Sequence, residues 1–326
     1  MSLEDKIIKR LNSSFLNTNK NLVGIGDDCA YLGKEDLLIS TDTFIENTHF
    51  DLKKSNPRQV AIKFFNANYS DLQSSGGRSL YCFLNISFSK TKSEFIHHFI
   101  KELTSLLKKY KIILMGGDTT KSITDISLTM TLIGKPFNKR IFLRTNAKEE
   151  ELICTFSNIG FSKLGYDILY KSKKIKDLRL KKQSIEQFLS PKIYSYAAFL
   201  TKLKISSCMD LSDGLIIDLI KYSQMSKKRF HLNNLSNLNP TLYKKLNKQD
   251  YYNYVLTSGE EFVPIFTIPS NKLVSAVDYF KKNLKVTIVN IGSVLKGSGV
   301  TTDEYNLDKI HSFSPVSYTH LRAHET

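Results

Sequence analysis

Four separated stretches of this chain share one design, in which an apolar run hands an aspartate to a short turn of Gly, Ser or Thr. They are Ser-Thr-Asp-Thr at 40–43, Tyr-Ser-Asp-Leu around Asp71, Gly-Gly-Asp-Thr-Thr at 116–120 and Asp-Leu-Ser-Asp-Gly at 210–214, with Gly-Ile-Gly-Asp-Asp at 24–28 as a fifth. Any one of them can be an ordinary turn, since Asp and Gly shape turns by themselves. The repetition constrains the fold much harder. An acid at a strand end is costly to bury without a counter-charge. Clustered aspartates, each with an ordinary pKa of about 4, repel one another at neutral pH unless divalent ions neutralise them. Mg2+ takes a few carboxylates plus waters and substrate phosphates, and such ions bridge polyphosphate oxygens during in-line phosphoryl transfer. Ser40, Thr41, Thr119 and Ser212 add oxygen donors, and the glycines permit close backbone approach to phosphates. The chain carries no Gly-x4-Gly-Lys-Ser/Thr loop and no His-Arg-Asp or Asp-Phe-Gly set, so the familiar nucleotide-kinase machinery is excluded.

Strand-like and helix-like spacings alternate along the chain, which predicts a mixed α and β class. A length of 326 residues is enough for two domains, each with its own core. The first half reads as an opening helix over 3–16 and a strand ending at Asp42. Asn56 and Pro57 then start a helix, which runs through Val60, Ile62, Phe64 and Phe65 and breaks before a glycine-rich loop holding Asp71. A buried strand follows over 79–89, then an amphipathic helix marked by Phe95, Phe99, Leu103, Leu106 and Tyr110, with His97 and His98 in surface or packing roles. Strands over 111–115 and 125–133 close the first domain near Pro136. The second half reads as a strand over 151–157, a turn at Gly160, a helix holding Gly165, a basic run over 171–182 and a helix from Pro191 to Leu203. A strand over 206–211 leads into the Ser-Asp-Gly turn and a helix through Leu219; 254–267 reads as strand, turn, strand around Ser258, Gly259 and Glu260. A helix over 273–280 and a final strand over 286–294 complete the pattern. The expected division is 1–137 and 138–315.

The formal charge of +16 suggests nucleic acid or an anionic surface. The lysines are scattered without an aromatic-interleaved stripe, however, and the aspartate series would repel nucleic-acid phosphates unless metal intervened. An anionic substrate suits the same charge, and no nucleic-acid partner is expected. Cys29, Cys82, Cys154 and Cys208 lie far apart, which is neither a zinc spacing nor a disulfide framework and fits a reducing cytoplasm. The N-terminus lacks an apolar signal core and no run reaches membrane-span length, so a cytoplasmic protein without membrane association is expected. Residues 316–326 resemble the translation of a sequencing adapter and are excluded as a non-native tail. The helical spacing of His320 and His324 is therefore read as coincidence.

The ordered series GIGDDCAYL, ISTDTFIENTHF, NYSDL, MGGDTT, the arginine of RIFLRT, MDLSDGLIIDL and LTSGEEF resembles the motifs of the thiamine-monophosphate kinases, in the aminoimidazole-ribonucleotide-synthetase superfamily. The resemblance spans 24–292. It implies an aminoimidazole-ribonucleotide-synthetase-like fold, with an N-terminal sheet domain that forms a homodimer, a C-terminal α/β domain and an ATP site in the cleft between them. The implied activity is ATP-dependent phosphorylation of thiamine monophosphate to the diphosphate, assisted by several Mg2+ ions. Carried over by position, the pattern makes Asp28, Ser40, Thr41, Asp42, Asp71, Asp118, Asp210 and Asp213 magnesium ligands, with Asp42, Asp71, Asp118 and Asp213 central to catalysis. It gives Gly117, Asp118, Arg144 and Ser212 to ATP, and His49, Glu260 and Phe313 to thiamine monophosphate. Two departures stand out. Where the family has Gly-Gly-Glu-Asp this chain has Ser258, Gly259, Glu260 and Glu261, and the family's closing aromatic pattern survives at most as Phe313. Among other superfamily members, a selenophosphate synthetase would want a reactive Cys or Sec with a Lys near the N-terminus, and a hydrogenase-maturation dehydratase a C-terminal Cys. The chain has neither.

Overall fold

Two six-stranded sheets organise the computed structural model, which describes residues 6–8, 10–11 and 21–307. Most of the opening helix expected over 3–16, together with Phe313 and the segment 316–326, lies outside the described residues. The first sheet contains β1 (Leu22–Val23), β2 (Ala30–Leu32), β3 (Leu37–Ile45), β4 (Gly77–Phe88), β5 (Ile113–Lys121) and β6 (Ser127–Pro136), in the order β1-β2-β3-β6-β4-β5. β3 pairs antiparallel with β6 from Leu38 opposite Gly134 to Ile45 opposite Ser127. β4 and β5 run parallel, which demands a crossover. The helix α2 (Ser93–Lys109) supplies it; Phe99 and Leu103 of the expected stripe are buried beside Ile96 and Leu107, while Phe95, Leu106 and Tyr110 pack only partly against the same core. The other covering helix is α1 (Pro57–Ser74), opened by a capping box between Asn56 and Gln59 with Pro at its first turn.

The second sheet contains β7 (Leu152–Phe156), β8 (Ser207–Asp210), β9 (Arg229–Leu232), β10 (Pro264–Ile268), β11 (Ile288–Leu295) and β12 (Gly299–Thr302), in the order β12-β9-β11-β7-β10-β8. Its helices are α3 (Phe161–Tyr170), α4 (Leu178–Leu189), α5 (Ala197–Leu203), α6 (Leu215–Ser226), α7 (Pro240–Lys245), α8 (Lys248–Thr257) and α9 (Leu273–Leu284). One apolar cluster, with Phe64, Phe99 and Met130, sits under the first sheet; another, with Phe156, Tyr222 and Phe266, sits under the second. Among the described residues no helix is long and apolar enough to cross a membrane.

The structure corrects several sequence expectations. β3 does not stop at Asp42 but continues to Ile45. Asp71 is not in a loop: α1 runs through Asn-Ala-Asn-Tyr-Ser-Asp to Ser74. Such residues compete with helix when solvated, but here they are buried and partnered. Asn68 Nδ2 donates to Phe64 O (3.2 Å), Ser70 Oγ to Ala67 O (2.9 Å) and Gln73 Nε2 to Gly77 O (3.1 Å). The strand expected from 254 is the end of α8, where Tyr251, Tyr254 and Val255 form a buried helical stripe behind an Asn247 cap. The expected strand over 79–89 is buried on one face only, and β12 lies beyond the strand expected to be last.

Candidate functional site

α1 joins the two sheets. It touches β3, β4 and β6 on one side and β8, α4 and α5 on the other. Its buried polar residues form the seam. Asn66 Nδ2 donates to Lys192 O (3.3 Å), the Tyr69 and Ser195 hydroxyls lie 2.8 Å apart, and Gln73 Oε1 accepts from the Ala197 N–H (2.9 Å). A helix that buries this much polarity needs a partner for every group, and the seam supplies many of them.

Beside the seam, aspartates from separate elements converge. Carboxylate oxygens of Asp28, Asp71 and Asp210 lie within 4.8 Å of one another. The period of two along β3 puts Ser40 and Asp42 on the same face as buried Leu38 and Phe44. Ser40 Oγ donates to Asp71 Oδ2 (2.6 Å), and Asn68 Oδ1 accepts from the Asp42 N–H (3.2 Å). Ser74 Oγ donates to Asp28 Oδ2 (2.6 Å), which also accepts from the Asp210 N–H (3.2 Å), while Ser70 Oγ donates to Asp210 Oδ2 (3.3 Å).

The electrostatics follow from this crowding. Burial, compounded by Asp42, Asp210 and Asp28, holds the Asp71 carboxyl well above the usual carboxylate range. Burial with Asp28 and Asp218 does the same to Asp210, and burial is the main reason that Asp42 is raised. Asp27 is pushed up to about 7 by burial and by Asp28. Arg144 offsets part of this charge: its guanidinium pairs with Asp28 and donates through Nη1 to Gly26 O (3.1 Å). Its Nε is buried without a hydrogen-bond partner.

The 210–214 turn is fixed by a residue the sequence reasoning passed over. Asp218 Oδ2 accepts from the N–H groups of Ser212 (3.0 Å), Asp213 (3.0 Å) and Gly214 (3.2 Å). The available signal was an acid in the first turn of a helix, where orphan N–H groups gather. Asp213 itself pairs with Lys221.

A cleft of about 190 Å³ opens from this cluster, lined by Asp42, Asp71, Asp210, Ser212 and Asp213 together with His49, Glu260 and Phe262. His49 stacks on Phe44 (5.0 Å between centroids, 15° between planes), and its Nδ1 accepts from the Ile45 N–H (3.0 Å). Burial lowers its pKa, so the neutral ring carries its proton on Nε2. Glu260 sits at φ 55° in the loop after α8. It is held there by an N–H bond to Ser212 O (2.7 Å) and an ion pair with Lys63, 2.6 Å away. Glu261, its neighbour, turns away to accept from the Gly160 N–H (2.8 Å) and Ser258 Oγ (2.6 Å).

Thus Asp42, Asp71, Asp210, Ser212, Asp213, His49 and Glu260 line one cleft, while Ser40 and Asp28 adjoin it through bonds to Asp71 and Asp210 and Arg144 through its pair with Asp28. Thr41, Gly117 and Asp118 do neither. The Thr41 side chain points to the opposite face of β3, where its hydroxyl lies 3.0 Å from that of Thr131. Gly117 and Asp118 lie on β5, the exposed sheet edge, separated from β3 by β6 and β4. At about 4.8 Å per strand that is on the order of 14 Å. Phe313 lies outside the described residues. Lys63, Asn68, Ser74 and Asp218 were missed because their roles depend on burial, which single-residue chemistry does not announce.

Comparison with known proteins bears on this arrangement. The family described as AIR synthase related protein, N-terminal domain, matches residues 26–135. The thiamine-monophosphate kinase of Escherichia coli (strain K12) is 30% identical over 322 residues, covering 97% of this chain and 94% of that protein. The solved structure described as AaThiL complexed with AMPPCP and TMP superposes with a TM-score of 0.76 at 23% identity, covering 94% of this chain and 97% of that one, and so shares its fold. The thiamine-monophosphate kinase of Buchnera aphidicola subsp. Schizaphis graminum (strain Sg) is 33% identical over 301 residues, 90% of this chain and 92% of that protein. An identity of that level across nearly the whole of both chains makes this protein a member of the thiamine-monophosphate kinase family.

Proposed function

We propose that the cleft transfers the terminal phosphoryl group of ATP to thiamine monophosphate, giving thiamine diphosphate and ADP, with Mg2+ held by the aspartates. The observation that carries this reading is the convergence of Asp28, Asp71 and Asp210 from three separate elements onto a space less than 5 Å across. The donor set fits a hard dication. Asp71 and Asp210 resist ionisation because they are buried and face other carboxylates, and a bound cation is what would restore their charge. Asp28, Asp71 and Asp210 would hold the metal, with Asp42, Asp213 and the Ser40 hydroxyl beside them. Bound Mg2+ supplies positive charge to the polyphosphate oxygens.

The chain's own groups supply binding and orientation. The attacking atom is a phosphate oxygen of the acceptor, whose second ionisation lies at about pH 6, so no general base is needed to expose it. Alignment and charge compensation are then the main tasks of the protein. Arg144, whose guanidinium can grip phosphate oxygens in a fork and is held here by Asp27 and Asp28, suits a phosphate oxygen of ATP. Asp218 keeps the Ser212 to Gly214 turn rigid for the nucleotide. For the cationic, aminopyrimidine-bearing acceptor His49 offers an Nε2 donor and Glu260 a carboxylate.

The family pattern also gives Gly117 and Asp118 to the nucleotide, although within one chain they lie on an edge strand three positions from β3. A homodimer docking on that edge is the arrangement that would bring them to a cleft, and the exposed apolar face of the first sheet supports it. The division into domains near residue 137 is likewise our reading, supported by two sheets with separate apolar cores. Dependence on ATP and four free cysteines suit a cytoplasmic setting.

The direct test is ATP consumption with thiamine monophosphate and Mg2+, beside thiamine as acceptor control. Consumption no greater than in the thiamine control would sink the proposal.

A further inference from the structure

Lys63 belongs to the first sheet's helix α1, yet its ammonium is spent on the second unit. The side chains of Lys63 and Glu260 are 5% and 9% exposed, with Nζ 2.6 Å from Glu260 Oε2. Nζ also lies 4.1 Å from the centroid of the Phe188 ring, on α4. Nζ also donates to the His49 carbonyl oxygen (3.5 Å), so one cation ties α1, the loop between α8 and β10, α4 and the turn after β3 together. Glu260 faces the cleft, whereas Lys63 approaches it from behind and does not line the cleft. Glu260 also stands in a left-handed backbone conformation that a glutamate rarely adopts, so something must fix both its backbone and its carboxylate. The Ser212 carbonyl fixes the first. The ammonium of Lys63, packed on an aromatic face, fixes the second.

We propose that Lys63 is a positioning residue for the acceptor: by pinning Glu260 through Oε2 it sets the direction in which Oε1 meets a cationic acceptor ring, and it does so without touching either substrate. The inference rests on Glu260 serving the acceptor, as read above. It makes acceptor affinity, and not nucleotide affinity, depend on a lysine outside the cleft. A buried ion pair that loses one partner leaves an uncompensated charge, so Lys63→Met alone is at risk of misfolding. Glu260→Gln combined with Lys63→Met removes both charges and avoids that risk.

The test is steady-state kinetics on the full chain with each substrate varied in turn, for wild type, Lys63→Met, Lys63→Arg, Glu260→Gln and the double variant, with thermal melts alongside. Lys63→Met is expected to raise KM for thiamine monophosphate about tenfold or more while leaving KM for ATP within about threefold, the signature of lost acceptor binding. Lys63→Arg, which keeps the charge and the aromatic contact, is expected to recover most of the loss. The contact with Glu260 (2.6 Å) is much shorter than the one to the His49 carbonyl (3.5 Å), so Lys63 acts mainly through Glu260 and the double variant should fall well short of the product of the two single effects on the acceptor. Equal changes in both KM values, no recovery with Lys63→Arg, or effects that multiply in the double variant would each overturn the inference. If Lys63→Met does not fold, the arginine and double variants decide by the same criteria. A wild-type protein inert toward thiamine monophosphate would overturn the functional reading first, and this inference with it, before any variant is compared.

Discussion

The two sheets begin from similar sequence and end in opposite surroundings. β10 (Pro-Ile-Phe-Thr-Ile) and β8 are buried at every residue. β5 opens with an equally apolar Ile-Leu-Met and is exposed at every residue, with Ile113 59% exposed. Beside it, Tyr81 and Phe83 of β4 also reach solvent. The contrast teaches that apolar strand sequence reports a need for cover and does not say who provides it. In the second sheet the same chain provides it, through helices such as α6 and α9 and through α1 against β8. In the first, α1 and α2 cover one face, while the outer face and the β5 edge carry apolar groups that an isolated subunit does not normally leave open.

The sharpest test of the comparison lies where the two halves meet. Asp71 comes from the first unit's helix and Asp210 from the last residue of β8 in the second. Asp71→Asn and Asp210→Asn are each expected to lower kcat by about a hundredfold or more, the scale for losing one preorganised electrostatic contact, with circular dichroism unchanged. A dispensable acid on either side would mean that the cleft belongs to one unit alone.

Next in size is stability. Phe266 in β10 is fully buried, and Phe266→Ala should cost about 3–5 kcal/mol in denaturant melts. Phe83, 40% exposed, should cost a single subunit no more than about 0.5 kcal/mol as Phe83→Ala. A large loss at Phe83 that grows with protein concentration would point to a covered face, since stability of an assembled protein depends on concentration. The matching experiment is light scattering at micromolar concentration. Wild type is expected to give the mass of a dimer, and Met115→Lys combined with Phe83→Lys the mass of a monomer. A wild-type monomer would leave the exposed face unexplained and end the dimer proposal.

How much of this was legible in the sequence depends on whether a residue's role is local. The α2 stripe and the Asn56-Pro57 helix start were legible because periodicity and capping are local rules. The aspartates that meet at the cleft were legible as chemistry, since repeated acids beside turn residues are hard to explain otherwise. Their backbone was not. Asp71 reads as a loop residue because Asn, Ser and Asp prefer turns in water, and the helix prevails through partners such as Ala197, whose N–H donates to Gln73 from more than a hundred residues away. The stretch from Tyr254 reads as a strand, but its Tyr and Val side chains belong to the buried stripe of a helix, because tertiary packing overrides local preference here. Thr41 illustrates the limit of motif transfer. It sits beside Asp42 in sequence, but the pleat sends its side chain to the opposite face.

The smallest expected effect concerns the charge stored in the cleft. In the unfolded chain aspartates titrate at about 4, whereas in the folded protein Asp27 is raised to about 7 and Asp71 and Asp210 well above their usual range, through burial and mutual repulsion. Between those values the folded state holds protons that the unfolded state has released. Folding stability from these groups is therefore full below about pH 4 and is lost as pH rises through the folded pKa values. His49 runs the other way, because its lowered pKa favours the folded state as pH climbs toward about 6.5. The informative quantity is accordingly the change in melting temperature on adding Mg2+, taken at pH 5.5 and at pH 8. A cation needs deprotonated carboxylates, so its stabilisation should be several degrees larger at pH 8, on the order of 2–4 °C per kcal/mol for a chain of this size class. Asp71→Asn should flatten that difference, and Phe83→Ala, on the open face of the first sheet, should leave it intact. A Mg2+ effect equal at both pH values in wild type would mean that the ion does not bind at the raised carboxylates, and that the charge gathered between the two sheets serves some other end.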